Sequence, residues 1–217
     1  MSLSSFKRNG EPLDFESLSL RRRIAREAAN LLYSGVEKEY KQAKLKAAKA
    51  FGANFLPTNL EVAMELDRAA EENEGPARHD RLVAMRREAL ALMEILKEYN
   101  PVLIGSVWRG TIHHCSDIDI VVYHDQPEEV LKILRRNSVK VTLAEQVAVT
   151  KKGSRKGSFH IHAESLAGEE VEIKVCSPEE AEVRVKCEIY GDQVVGLRTE
   201  EVRKVLGQNP VQRFVPF

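Results

Sequence analysis

Val102-Leu-Ile-Gly-Ser-Val-Trp-Arg-Gly-Thr-Ile-His-His-Cys-Ser-Asp-Ile-Asp-Ile-Val-Val122 reads as a strand, a tight turn, a loop and a second strand. The apolar run Val102 to Ile104 stops at Gly105-Ser106, and a second run, Ile118 to Tyr123, has Asp117 and Asp119 threaded into its start. Successive strand side chains alternate between faces, so the two aspartates point the same way with Cα atoms roughly 6.5–7 Å apart. Ile118, Ile120 and Val122 then face the opposite way, into a core. Two carboxylates on one face suit a pair of divalent ions, which in two-metal sites lie about 3.5–4 Å apart. Upstream, Gly105 lets backbone approach a ligand closely, and Ser106 adds a hydroxyl beside a short helix expected at about Val107 to Gly110, whose free N–H groups attract phosphate. A lone Gly-Ser is usually only a turn, and a lone Asp-x-Asp usually a solvated strand end. Their order on a strand–turn–strand background favours a site.

The arrangement Gly-Ser, then Gly-Thr, then Ser-Asp-x-Asp followed by apolar residues resembles the signature of the DNA polymerase beta-like nucleotidyltransferase superfamily. Its compact spacing is most like that of the minimal nucleotidyltransferases of archaea and bacteria, and the resemblance covers about residues 101–175. It implies an α+β fold, a mixed sheet flanked by helices, that moves a nucleoside monophosphate from a nucleoside triphosphate to an acceptor hydroxyl with Mg²⁺ or Mn²⁺ as cofactor. It also implies a third carboxylate on a later strand. Glu172 in Val171-Glu-Ile-Lys-Val175 fits that place, with glutamate where aspartate is more usual. Asp117, Asp119 and Glu172 are thus the expected catalytic and metal-binding residues. Gly105 and Ser106 are expected to seat the outer phosphates, and Arg109 or Lys174 to add positive charge; Trp108 stacks a base or packs in the core. RNA, a protein or a small molecule remain open as acceptor. Two other readings stand beside the enzyme: an antitoxin-type regulatory partner, and an inactive nucleotidyltransferase fold that binds RNA.

At 217 residues and 43% hydrophobic content, the chain has material for a catalytic domain plus a smaller helical one, divided here as 1–99 and 100–217. Lys+Arg and Asp+Glu both number 33, so no global charge points to a polyanion. Cys115, Cys176 and Cys187 lack CxxC spacing, which argues against a disulfide framework and for a reducing, cytoplasmic setting. Residues 1–18 have no long apolar run, and no stretch reaches the ~18 apolar residues of a membrane span; neither a signal peptide nor a membrane partner is expected.

From Ser19 to Phe51 apolar residues recur at three- and four-residue steps, which predicts one long helix or two. The opposite face carries Arg21, Arg22, Arg23, Arg26, Lys38, Lys41, Lys44, Lys46 and Lys49, diluted by Glu27, Glu37 and Glu39; it is solvated surface or, less often, a nucleic-acid contact. Thr58-Asn-Leu-Glu61 reads as a capping box opening a helix to about Glu72, and a third helix runs from about Ala77 to Tyr99 to pack on the sheet. Pro127 to Arg136 is helical. Val139 to Thr150 alternates like strand, ahead of a basic loop, Lys151 to Gly157, that is a charged turn or a clamp for anions. His160, His162 and Glu164 share one strand face, a polar outer surface or a transition-metal site, and a hairpin at Ala167-Gly168 brings His162 beside Glu172. Val183 to Tyr190 and Gln193 to Leu197 suggest two more strands, Thr199 opens a last helix to Leu206, and the tail through Phe214 docks on its own domain or on a partner.

Overall fold

The computed structural model describes residues 15–151, 154–165 and 167–216, which form seven α-helices and six strands. They divide into two compact units. One runs up to Asn73 and includes Glu188–Tyr190; the other comprises Glu74–Cys187 and Gly191–Phe217. The boundary at Asn73 differs from the division at 99/100 drawn from the sequence, because the fourth helix shares its core with the sheet.

In the first unit, the amphipathic stretch after Ser19 is two helices, α1 (Phe15–Tyr33) and α2 (Tyr40–Ala50), with α3 (Asn59–Glu74) completing the group. Ile24, Ala25, Ala28, Ala43, Ala47 and Val62 are buried together; the many alanines let the backbones approach closely. The capping box forms as expected: Glu61 N–H donates to Thr58 Oγ1 at 3.1 Å and Thr58 N–H to Glu61 Oε2 at 2.6 Å. The basic face of α1 meets the acids of α3. Arg21 pairs with Glu61 at 2.7 Å, Arg22 with Glu65 at 3.1 Å and Arg26 with Glu72 at 3.0 Å. Part of the positive charge that invited a nucleic-acid reading, at Arg21, Arg22 and Arg26, is matched within the unit.

In the second unit, α4 (Pro76–Ile95) leads through a 3-10 turn (Lys97–Tyr99) into β1 (Val102–Ile104), α5 (Gly105–Arg109) and β2 (Ile118–Tyr123). There follow α6 (Pro127–Arg136), the long hairpin β3 (Lys140–Lys151) and β4 (Ser154–Glu164), β5 (Glu170–Cys176), β6 (Leu197–Arg198) and α7 (Thr199–Gln208). The sheet order is β3-β4-β5-β2-β1-β6. β2 and β5 run parallel; every other neighbouring pair is antiparallel. Alternation sends Leu103, Ile118, Ile120, Val122, Ile161, Val171 and Ile173 to one face, where Leu82, Met85, Ala89, Met93, Val130 and Leu134 cover them. The opposite face is left for polar side chains.

Two expectations change. Val183 to Leu197 is not a strand pair: a single bridge, Lys186↔Gln193, joins its arms. Glutamates 179, 180 and 182 precede it, and no buried face rewards its alternation, since Val183, Val185 and Val195 are exposed. Much of the basic stretch Lys151 to Gly157 is also strand rather than loop, with Ser154 paired to Lys151; residues 152 and 153 lie outside the described set, so the anion-clamp reading is not addressed there. The tail docks on its own unit: Phe214 N–H donates to Arg109 O at 3.0 Å, and its ring packs against the core. Among the described residues no helix is long and apolar enough to cross a membrane.

Candidate active site

The polar sheet face is built by register. Asp119 on β2 lies opposite Ile104 on β1 and Glu172 on β5, and Glu172 in turn lies opposite His162 on β4. Asp117 enters at the head of β2. Carboxylate oxygens of Asp117, Asp119 and Glu172 all lie within 4.8 Å of one another. Burial, with Asp117 and Glu172 beside it, raises the Asp119 carboxyl to about 7, and burial chiefly, then Glu172 and Glu170, raises Asp117 against an opposing backbone hydrogen bond. Three acids in mutual repulsion at the edge of a core call for compensating charge, of which His162 beside Asp117 gives only a part. A divalent cation held by all three would supply it, so the donor set fits Mg²⁺ or Mn²⁺, which take carboxylate oxygens.

Gly105 closes the other side. Its φ of +70° is in the left-handed region, and a Cβ built there would stand 1.9 Å from Asp119 Oδ2. The turn and the carboxylate are therefore in direct apposition, which only a residue without a side chain permits. Gly105→Ala is expected to displace the Asp119 carboxylate, destabilise the fold by about 1–3 kcal/mol, and lower divalent-ion affinity; a titration calorimetry experiment with Mn²⁺ reads the second effect. α5 begins at Gly105 itself, two residues earlier than the sequence suggests, and is capped after Arg109 by Gly110, also left-handed at φ 71°. Ser106 sits in its first turn, half-buried.

The remaining candidates separate. Lys174 lies on β5 two residues beyond Glu172, on the same face and opposite Val121 and His160. Arg109 instead ties the core to the tail. It is 4% exposed, and its guanidinium binds Asp192 at 2.8 and 3.1 Å, donates to Phe214 O at 2.9 Å and lies over the Trp108 ring. The expectation that it binds nucleotide is corrected accordingly, because this guanidinium is buried in the core and committed there to a carboxylate and a carbonyl. Trp108, 3% exposed, packs in the core rather than waiting for a base.

Sequence reading placed His162 beside Glu172. The register agrees, but the hydrogen bond comes from His160, whose Nδ1 meets Glu172 Oε1 on the diagonal while its Nε2 lies 2.7 Å from Ser158 Oγ. With Nδ1–H donating to the carboxylate, Nε2 accepts from the serine hydroxyl. Since His160 is so engaged and Glu164 pairs with Lys140 at 2.7 Å, the three β4 residues do not converge as a metal site among the described residues.

The sequence also missed the brace behind the motif. Three arginines of α4 reach under the loop: Arg78 donates to Ile112 O at 2.7 Å, Arg81 to His113 O and Ser116 O at 2.8 and 3.1 Å, and Arg86 to Val107 O and Trp108 O at 3.1 and 2.9 Å. The signal was present, for Arg78 and Arg86 fall on the same helical face as Leu82, Met85 and Ala89. Charges inside an apolar stripe mark buried polar partners.

Residues 89–192, which carry the turn, the three carboxylates and β1 to β5, match the family model described as nucleotidyltransferase domain. No curated protein matches the chain.

Proposed function

Because residues 89–192 are a nucleotidyltransferase domain, with the mixed sheet and flanking helices of that fold, we propose that the protein transfers a nucleoside monophosphate from a nucleoside triphosphate to an acceptor hydroxyl. The observation that carries this reading is the convergence of Asp117, Asp119 and Glu172 within 4.8 Å, directly against the Gly105 turn. The acceptor oxygen attacks the α-phosphorus, the bond to the β-bridging oxygen breaks, pyrophosphate leaves, and the hydroxyl proton passes to water or a nearby base.

Asp117, Asp119 and Glu172 would hold the divalent ions. When bound, such ions lower the pKa of the attacking hydroxyl and neutralise charge on the phosphates. Gly105 and Ser106 seat the outer phosphates, where backbone comes close without a side chain. Lys174 adds positive charge on the same face. His160 acts through Glu172: its Nδ1–H orients the carboxylate, and Ser158 fixes the ring in turn. Outer partners of this kind are worth about 10–100-fold in metal affinity or activity. His160→Gln is therefore expected to lower Mn²⁺ affinity and turnover within that range while leaving the thermal midpoint within a few degrees; an unchanged affinity would remove His160 from the site.

The reading is tested by incubating the protein with each α-labelled nucleoside triphosphate, Mg²⁺ or Mn²⁺, and RNA and protein extracts. Label in a macromolecule or small product, lost with Asp119→Asn, is the expected result. No labelled product with any triphosphate, ion or extract would set the transferase reading aside. The alternative of an inactive RNA binder loses support from the pairing of Arg21, Arg22 and Arg26 with acids of α3.

A further inference from the structure

We propose that the turn His113-His114-Cys115, together with Glu74, is a second metal site, one for zinc or a similar transition ion and distinct in chemistry from the carboxylate trio. His113, His114 and Cys115 each present a ligand atom, and these lie within 4.8 Å of one another. Glu74 stands beside them: its Oε1 accepts His114 N–H at 3.0 Å and lies 3.9 Å from His114 Nδ1. Around one tetrahedral zinc ion with bonds of 2.0–2.3 Å, ligand atoms are separated by roughly 3.3–3.8 Å. The three turn residues stand close to that range, and a turn of the Glu74 side chain away from His114 N–H would add its carboxylate as the fourth ligand.

The backbone under these side chains is already fixed. Ser116 N–H donates to His113 O at 2.7 Å and His113 N–H to Ser116 Oγ at 2.9 Å, closing the turn on itself. Arg81 binds both His113 O and Ser116 O, and Arg78 binds Ile112 O just ahead. A turn pinned before the ion arrives loses little further entropy on binding. Cys115 N–H donates to His113 Nδ1 at 3.3 Å, a long contact that would yield to the ion if Nδ1 is the ligand and stay in place if Nε2 is. Arg78 and Arg81 are the nearby cations to reckon with; Glu169, bound to Arg81 at 2.7 and 3.2 Å, matches the charge of one of them.

The donor set selects the ion. Two imidazoles, a thiolate and a carboxylate carry two negative charges, which a dication neutralises. Thiolate and imidazole suit zinc, cobalt or copper, whereas Mg²⁺ takes oxygen. The two sites therefore sort ions by hardness although Cys115 precedes Asp117 by only two residues. An ion here would serve as a structural clasp on the loop that delivers Asp117.

Cobalt reports on such a site by a thiolate-to-metal charge-transfer absorption that oxygen ligands cannot produce. The full chain, stripped with chelator, is titrated with Co²⁺ and the spectrum followed, with circular dichroism confirming the fold of each variant. Wild type and Asp119→Asn are expected to develop the band at one ion per chain. Cys115→Ser, at an exposed position, is expected to lose it, and His114→Ala to weaken Co²⁺ binding at least about tenfold. Absence of the band in wild type, or its survival in Cys115→Ser, would overturn the proposal, as would its loss in Asp119→Asn alone. None of these readouts depends on nucleotide transfer, so the site stands or falls apart from the catalytic reading.

Discussion

Asp119→Asn is expected to reduce nucleotide transfer by about 10³-fold or more, several kcal/mol of transition-state stabilisation, and at the same time to stabilise the metal-free protein. Both effects follow from the same geometry. The carboxylate sits against the Gly105 turn and within 4.8 Å of Asp117 and Glu172, so it is placed to bridge ions and is costly to ionise without them. Its pKa is raised to about 7 by burial, Asp117 and Glu172. In the unfolded chain an aspartate ionises near 3.9. A folded-state pKa raised above the unfolded one means the native state binds more protons between those values. Native stability therefore falls as pH rises from about 4 to 7, and the penalty is complete above 7. Asparagine, equal in shape and uncharged, removes a penalty of about 4 kcal/mol at pH 8 and almost none at pH 4. Melting curves at the two pH values, in chelator and again with Mn²⁺, check the sign. Mn²⁺ is expected to stabilise wild type strongly and the variant little, since only ligands that bind the native state shift its unfolding. A variant that turned over like wild type, or melted lower than it in chelator at pH 8, would contradict this account.

Arg86→Met is expected to be the most destabilising single change in the second unit outside the apolar core, by about 3–5 kcal/mol. Arg86 is fully buried in α4. Its guanidinium donates to Val107 O, Trp108 O, Pro210 O and Gln212 O at 3.1, 2.9, 2.6 and 2.8 Å, tying the first turn after β1 to the C-terminal tail. Burial lowers its pKa to about 10, far enough above neutrality that it remains a cation. Methionine fills a similar volume but leaves four carbonyls to find other donors, each buried acceptor left without one costing about 1–3 kcal/mol. The tail is the part able to move. Its carbonyls at Pro210 and Gln212 are then expected to turn to water, withdrawing Phe214 from the core. Urea denaturation reads the loss of stability, and faster cleavage by a protease at residues 209–216 reads the released tail. Unchanged denaturation midpoints would show that the carbonyls are satisfied in some other way.

The site was legible in the sequence to the extent that its determinants are local. Asp117 and Asp119 share a face because a strand has period two, and Gly105 could be singled out because a glycine that ends an apolar run marks a special turn. Glu172 was found through the resemblance, which implies a third carboxylate on a later strand; the alternation of Val171-Glu-Ile-Lys-Val175 by itself only puts it on the polar face. Helix from about Ser19 to Phe51 and the Thr58–Glu61 box follow from spacing and capping chemistry alone, though spacing left open whether that helix is one or two. Arg109 shows the limit. A cation four residues after Gly105 looks suited to phosphate until Asp192, 83 positions away, is seen to hold it. The valines at 183, 185 and 195 alternate like strand yet find no sheet, because alternation describes a capacity that only a partner realises.

What the amino-acid order determined by itself is which residues are able to act together: two aspartates on one edge, a turn without a side chain ahead of them, an acid waiting on a later strand. Tertiary structure alone decided which of them do. The parallel register of β2 on β5 sets Glu172 opposite Asp119, the antiparallel return of β4 brings His160 to Glu172, and three arginines of α4 hold the loop from beneath. The reason is physical. Periodicity and capping are settled by bonds and clashes within a few residues, whereas the partner of a buried charge is chosen by the whole fold, from every donor and acceptor that packing brings within about 3 Å.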